Sequence, residues 1–174
     1  MELIFRKADF CDAEPIFTFV KNAVDIMISQ KIFQWDEIYP TRKDFEQDIK
    51  KGEAFLAEIN CENYKKIAAV YVLNKESDEA YKTAKWNYCG KNYIVIHRFC
   101  VNPEFQNKGI GFKVCLHILE QAKNSGIKSV RLDVFTQNPY SLKLYKKLGF
   151  KTTGYANWRK GKFFLQEKIL SNNF

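Results

Sequence analysis

The run Tyr93–Val101 (YIVIHRFCV) constrains this chain most. It is too short for a membrane span, and all but His97 and Arg98 are apolar or aromatic. Such a run suits a strand buried on both faces, and a strand of that kind sits centrally in a sheet with layers on either side. It leads into a glycine-bearing turn, VNPEFQNKGIG (Val101–Gly111), and then into a helical pattern over Gly109–Asn124. A buried strand feeding a helix through a tight turn predicts an α/β or α+β layered domain.

The rest of the chain supplies the other layers. Leu3–Lys7 alternates as a short strand. A helix follows, with Asp12 as its expected N-cap, Pro15 in its first turn and Ile16, Phe19, Val20, Ala23, Val24 and Met27 on its core face. The segment QWDEIYP (Gln34–Pro40) breaks the pattern, and Thr41-Arg-Lys-Asp44 reads as a capping box opening a second helix that Gly52 ends. Ala54–Ile59 and Ile67–Leu73 predict a hairpin, and Asn74–Asn92 a long polar and aromatic loop. Ser129–Phe135 is a strand, Pro139–Leu148 a helix closed by Gly149, and Phe150–Trp158 with Lys162–Ile169 two final strands. With no repeat, low-complexity tract or linker, residues 1–174 are expected to form a single domain.

Composition excludes several classes. Of 174 residues, 46% are hydrophobic and 16% aromatic, which rules out disorder and a fibrous protein. No apolar run approaches membrane-spanning length, and the start MELIFRKADF is neither a secretory nor a transit signal, so a cytoplasmic protein with no membrane partner is expected. The five cysteines are odd in number and none forms a CxxC pair; with only two histidines, no metal site is expected and the thiols read as free. The net charge of +8 is uneven: residues 1–60 carry 8 Lys+Arg against 12 Asp+Glu, whereas residues 101–174 carry 13 against 4. The basic part suits an anionic ligand and the acidic part a cationic one, although solvated lysines account for much of the total.

The turn at Gln106–Gly111 has the makings of an anion site. The first N–H groups of a helix lack internal partners and carry partial positive charge, and glycines let a phosphate approach the backbone. It is not a Walker A loop, because Lys108 precedes Gly109, nor a GxGxxG fingerprint, because Val114 takes the third glycine's place. Two glycines making an ordinary turn would look the same. A second segment, NPYSLKLYKKLGF (Asn138–Phe150), one strand later, separates the two readings. Together the segments resemble the GNAT superfamily of acyl-CoA-dependent N-acetyltransferases, whose pattern is strand, [QR]xxGx[GA], helix, strand and an NxxAxxLYxKLGF helix. Gln106, Gly109, Gly111, Asn138, Leu144, Tyr145, Leu148, Gly149 and Phe150 match, and Ser141 replaces the usual alanine. The resemblance covers roughly residues 93–155; WDxxYP ahead of a helix also looks like some bacterial members.

The resemblance implies a mixed, mostly antiparallel sheet of about seven strands with helices on both faces and a splay between two parallel strands, Tyr93–Val101 and Ser129–Phe135. It implies acetyl-CoA as co-substrate, with its pyrophosphate on the N–H groups of Gln106, Asn107, Lys108, Gly109, Ile110, Gly111 and Phe112. Its pantetheine would lie along the backbone of Phe99, Cys100 and Val101 and against Asn138. Tyr145 occupies the position of the tyrosine that protonates the departing sulfur; a phenol stays protonated at neutral pH, though a tyrosine here could also simply pack on the sheet. His97 is the candidate base for the attacking amine, since alternation puts it on the face of Phe99 and Val101; a histidine hydrogen-bonded within the sheet is the equal alternative. A backbone N–H near Phe99 or Cys100 would serve the oxyanion. A covalent role for Cys100 is rejected for want of a partner base, and His117 reads as structural.

The acceptor is expected to be a small cationic primary amine. Trp35, Asp36, Glu37 and Tyr39 could hold a cation through ring faces and charge, with Tyr81 and Trp86, along with Glu79 and Tyr88, covering the pocket and Tyr155 and Trp158 as a further wall. Ordinary packing explains each of these residues as well. A homodimer is an expectation from the family. Two rivals stand: a non-catalytic acyl-CoA sensor on the same fold, and a basic nucleic-acid binder using YANWRKGKFF, which no recognition motif supports, so no nucleic-acid partner is expected.

Overall fold

The computed structural model describes residues 2–62 and 64–170. The sheet has seven strands in the order β1-β2-β3-β4-β5-β7-β6. These are β1 (Leu3–Lys7), β2 (Ala54–Cys61), β3 (Tyr64–Asn74), β4 (Tyr93–Val101), β5 (Ser129–Phe135), β6 (Lys151–Trp158) and β7 (Gly161–Ile169). Four helices accompany them: α1 (Ala13–Ser29), α2 (Arg42–Lys50), α3 (Ile110–Asn124) and α4 (Pro139–Lys147). The chain groups into two compact units, Met1–Leu73 with Arg98–Val114 and Asn74–His97 with Cys115–Phe174. The cuts fall inside β4 and α3.

In the first unit, β2 lies antiparallel to β1, in register from Leu3 opposite Ile59 to Lys7 opposite Phe55, and antiparallel to β3. α1 buries Ile16, Phe19, Val20, Ala23 and Val24 at the predicted spacing, with Met27 partly buried beside them. Phe45 and Ile49 of α2 and Leu56, Val70 and Val72 of the strands complete this core. α2 starts as expected: Thr41 accepts the Asp44 N–H, and Asp44 accepts the Thr41 N–H at 2.6 Å. Its end is turned by Gly52 at φ 69°.

Asp12 is the N-cap residue of α1, as expected, but its side chain makes no cap hydrogen bond to the helix. Asp9 caps a 3-10 turn over Phe10–Asp12, accepting the Cys11 N–H at 2.8 Å. The physical reason is Arg6, whose guanidinium donates to both Asp12 oxygens, at 2.7 and 2.8 Å, and also to Glu58. A forked pair of ion-to-ion bonds outweighs a single bond to a backbone N–H.

In the second unit, β4 runs parallel to β5 from Tyr93 opposite Ser129 to Ile96 opposite Leu132. β7 is antiparallel to both β5 and β6. The segment between β3 and β4, expected as a loop, contains a 3-10 turn, Glu79–Thr83, capped by Asp78. That turn buries Tyr81 against Val95, Ala156 and Leu165. Tyr81 and its apolar neighbours give the segment a buried contact that the polar residues between them hide in the sequence.

Candidate active site

At the end of β4, Asn102 ties the chain down. Its N–H donates to Ala68 O and its side-chain amide to Ile67 O, both at 2.9 Å. Its Oδ1 accepts the Glu104 N–H at 3.1 Å, opening a 3-10 turn over Pro103–Phe105. Gln106 then folds back: its amide donates to the Val101 carbonyl at 3.1 Å and its N–H to the Pro103 carbonyl at 3.2 Å. Gln106 therefore closes the turn, and its N–H is already engaged.

Beyond it, Asn107 and Gly109 both adopt left-handed backbone, φ 59° and 76°. Alternating conformations of this kind turn successive N–H groups toward one point and create an anion-binding concavity. The Gly109 carbonyl accepts the Lys113 N–H at 3.1 Å, so Gly109 is the residue from which α3 starts. A Cβ placed on Gly109 would meet nothing within 4 Å. That open space suits a phosphate set on the first N–H groups of α3. Lys108 does not reach into it: its ammonium donates to the Glu104 carbonyl at 2.9 Å and sits 5.5 Å from the Phe105 ring centre. The cradle is thus a backbone one, and its residues fit the diphosphate of a coenzyme A.

On β4, Cys100 joins the core of the first unit, and burial pushes its thiol up to about 12. A thiol so hard to ionise is no nucleophile at neutral pH, which agrees with the rejection of a covalent route. Arg98 has φ 45°, a left-handed backbone inside the strand. The same-face reading of His97, Phe99 and Val101 is therefore corrected, because simple alternation does not carry across residue 98. His97 Nε2 lies 3.1 Å from the Glu76 carbonyl. A carbonyl only accepts, so this bond puts the proton on Nε2 and leaves Nδ1 as the basic nitrogen of the neutral ring.

Tyr145 is buried on α4, edge-on to Phe150 at 5.5 Å between ring centres. Burial, with Cys115 and Asp133 adding to it, holds its phenol well above 10. Asn138 is buried and caps α4, its Oδ1 accepting the Ser141 N–H at 3.1 Å. The Asn-Pro pair is a helix-start signal, so this role was readable in the sequence.

The residues expected to bind the acceptor fall in both units and are taken unit by unit. Trp35 is buried in the core of the first unit. Asp36 closes a turn, accepting the Ile38 and Tyr39 N–H groups at 3.1 and 3.2 Å. Glu37 and Tyr39 are exposed, and the Tyr39 hydroxyl accepts from Arg98 at 2.9 Å. In the second unit, Tyr81 donates its hydroxyl proton to Asp133 at 2.9 Å, and the Trp86 indole donates to the Tyr81 carbonyl at 2.8 Å. Trp86 and Tyr93 flank the Arg131 guanidinium at 4.3 and 3.9 Å. The buried Glu167 carboxylate accepts from Asn87 N–H at 2.7 Å, Ser129 Oγ at 2.7 Å and Arg131 Nε at 3.4 Å. Asp48, Arg98, Arg131, Asp133 and Glu167 were missed; a charge inside a mostly apolar strand, as at Arg98 and Arg131, is the signal that marks a buried pair.

A seven-stranded mixed sheet with a glycine turn opening the helix after its central strand defines an acyl-CoA-dependent transferase fold. The model of the acetyltransferase (GNAT) family matches residues 20–150, and the chain belongs to that family. A GNAT-family acetyltransferase structure from Streptococcus agalactiae is similar over 98% of this chain and 96% of its own, at 21% identity and TM-score 0.86. A Salmonella typhimurium structure solved with its cofactor acetyl-CoA is similar over 98% and 95%, at 17% identity and TM-score 0.66. The spermine/spermidine N(1)-acetyltransferase of Bacillus subtilis is 26% identical over 100 residues, 57% of this chain and 60% of that protein. The chain spans between 25% and 60% of the length of the curated relatives it matches.

Proposed function

We propose that this chain, as one N-acetyltransferase domain, moves an acetyl group from acetyl-CoA directly to a primary amine of a small cationic acceptor. The observation that carries the reading is the open backbone cradle where α3 begins, with Asn107 and Gly109 left-handed and no atom within 4 Å of a Gly109 Cβ. The N–H groups from Asn107 to Phe112 hold the diphosphate, Gln106 shapes the turn, and the backbone of Phe99–Val101 takes the pantetheine amides, with Asn138 as a further contact.

The neutral amine nitrogen attacks the thioester carbon, and a β4 backbone N–H receives the oxyanion. The C–S bond then breaks, and Tyr145 protonates the leaving thiolate. The ammonium's surplus proton leaves through His97 Nδ1 or a water beside it. An alkylammonium has a pKa near ~10.4, so a proton acceptor raises the small neutral fraction present at pH 7. Trp35, Asp36, Glu37, Tyr39, Tyr81 and Trp86 shape or wall the acceptor side. A polyamine-like acceptor is supported by the acidic residues 1–60 and by the named activity of the Bacillus subtilis relative. The cytoplasm is the proposed compartment, supported by five free cysteines.

Acetyl-CoA titrated calorimetrically into wild type and into a Gly109→Glu/Gly111→Glu double variant tests this. Micromolar binding that the variant loses supports the cofactor site. A folded wild type that binds no acetyl-CoA sinks the reading.

A further inference from the structure

Arg98 combines an unfavourable backbone with an unusually complete set of side-chain partners. Its φ of 45° lies in a region that side chains other than glycine rarely adopt, and it does so within β4. Its Nε and Nη2 donate to the two oxygens of Asp48, each at 2.6 Å, and its Nη1 donates to the Tyr39 hydroxyl at 2.9 Å. The Asp48 side chain is 5% exposed and that of Arg98 16%. Burial pushes the Asp48 carboxyl up while Arg98 pulls it down, and the carboxylate in turn holds the guanidinium above its ordinary value despite burial.

We propose that Arg98 is a positioning residue. Its forked pair with Asp48 holds the β4 backbone left-handed at residue 98 and so aims the N–H and carbonyl groups of Phe99–Val101. The assignment rests on the acetyl-CoA reading above, in which that backbone receives the pantetheine and the oxyanion. A buried ion pair is a poor device for stability alone, since apolar residues of similar volume serve as well. Local backbone strain held in place by surrounding bonds is instead characteristic of sites that need one exact geometry. The planar fork also fixes direction in a way that a lysine's point charge does not. Asp48 is itself fixed, because α2 starts from the reciprocal Thr41–Asp44 cap. Tyr39 accepts from Nη1 and so joins the Gln34–Pro40 segment to the same residue.

The test compares two double variants, Asp48→Asn/Arg98→Gly and Asp48→Asn/Arg98→Ala. Both remove the pair without leaving a buried charge alone, and only glycine accepts the left-handed backbone freely. With melting curves to establish folding, acetyl-CoA binding is measured by calorimetry. If the pair acts by holding the backbone, the glycine variant binds within about threefold of wild type and the alanine variant about tenfold weaker. Equal affinities for the two overturn the assignment.

Arg98→Lys provides a milder check, with ADP as a probe that has the diphosphate but no pantetheine. Acetyl-CoA affinity should fall about fivefold with ADP affinity unchanged. An unchanged acetyl-CoA affinity, or an equal loss for both ligands, overturns the proposal. A wild type that binds no acetyl-CoA removes the cofactor reading and this assignment together; a wild type that binds, with double variants that behave alike, removes the assignment only.

Discussion

At the scale of single residues, the chemistry rests on which groups hold protons. Tyr145 is the sharpest case. Its phenol is buried and held well above 10, so it stays a donor at neutral and mildly alkaline pH. Tyr145→Phe keeps the ring and its contact with Phe150 but removes that donor. We expect kcat to fall about 10²-fold or more, with acetyl-CoA affinity unchanged, in assays of thiol release with an amine identified by acceptor screening. The sign of the pH dependence follows from the raised value. The acid form is lost only above the shifted pKa, so wild-type activity should show no alkaline limb below pH ~10. An alkaline decline near 8 or 9 in kcat would assign the acid role elsewhere. Cys100, two residues past Arg98, illustrates the opposite case: it looks like chemistry in the sequence and is core in the structure, its thiol pushed up to about 12.

At the scale of elements, periodicity made most of the fold legible. The buried side chains of α1, the Thr41 capping box and the glycine turn before α3 follow from local residue spacing, and the parallel pair β4 and β5 from the family resemblance. What was not legible depends on partners far apart in the chain. The Asp12 side chain is held by Arg6 and not by α1, and Arg98, left-handed within β4, is paired with Asp48, fifty positions earlier. The same holds for Asn74–Asn92, which reads as a loop from its composition and is in fact pinned by Glu167, eighty positions later. The side chain of Glu167 has no exposed surface, and it satisfies Asn87, Ser129 and Arg131 together. Breaking such a buried pair from one side leaves the other charge unpaired, a cost of about 3–5 kcal/mol. Glu167→Ala should therefore lower the urea midpoint by that equivalent and open the Asn74–Asn92 segment to limited proteolysis. Arg131, still flanked by Trp86 and Tyr93, should keep the loss toward the lower end of that range. An unchanged midpoint and digestion pattern would show that Tyr81 and its apolar neighbours hold the segment unaided.

For the whole molecule, the relevant quantity is the uneven charge: 12 acidic against 8 basic residues in positions 1–60, and 4 against 13 in positions 101–174. In the proposed reading, coenzyme A, strongly anionic through its phosphates, is drawn in by the diffuse field of the basic part and fixed at the turn by backbone N–H groups. The two contributions respond differently to salt. A diffuse field is screened within about 10 Å at 0.1 M ionic strength, whereas hydrogen bonds in the cradle are not. Acetyl-CoA affinity should therefore weaken about tenfold between 0.05 and 0.5 M salt and then level off. Lys108 distinguishes this arrangement from a lysine-centred phosphate site. Its ammonium is drawn back to the Glu104 carbonyl, away from the open space at Gly109. Lys108→Ala should then cost no more than about twofold in affinity and leave the slope with salt nearly unchanged, because one exposed charge among many contributes little to the field. A loss of tenfold or more in that variant would mean that Lys108 swings into the cradle when the phosphates arrive, and that the anion is held by a point charge rather than by the backbone.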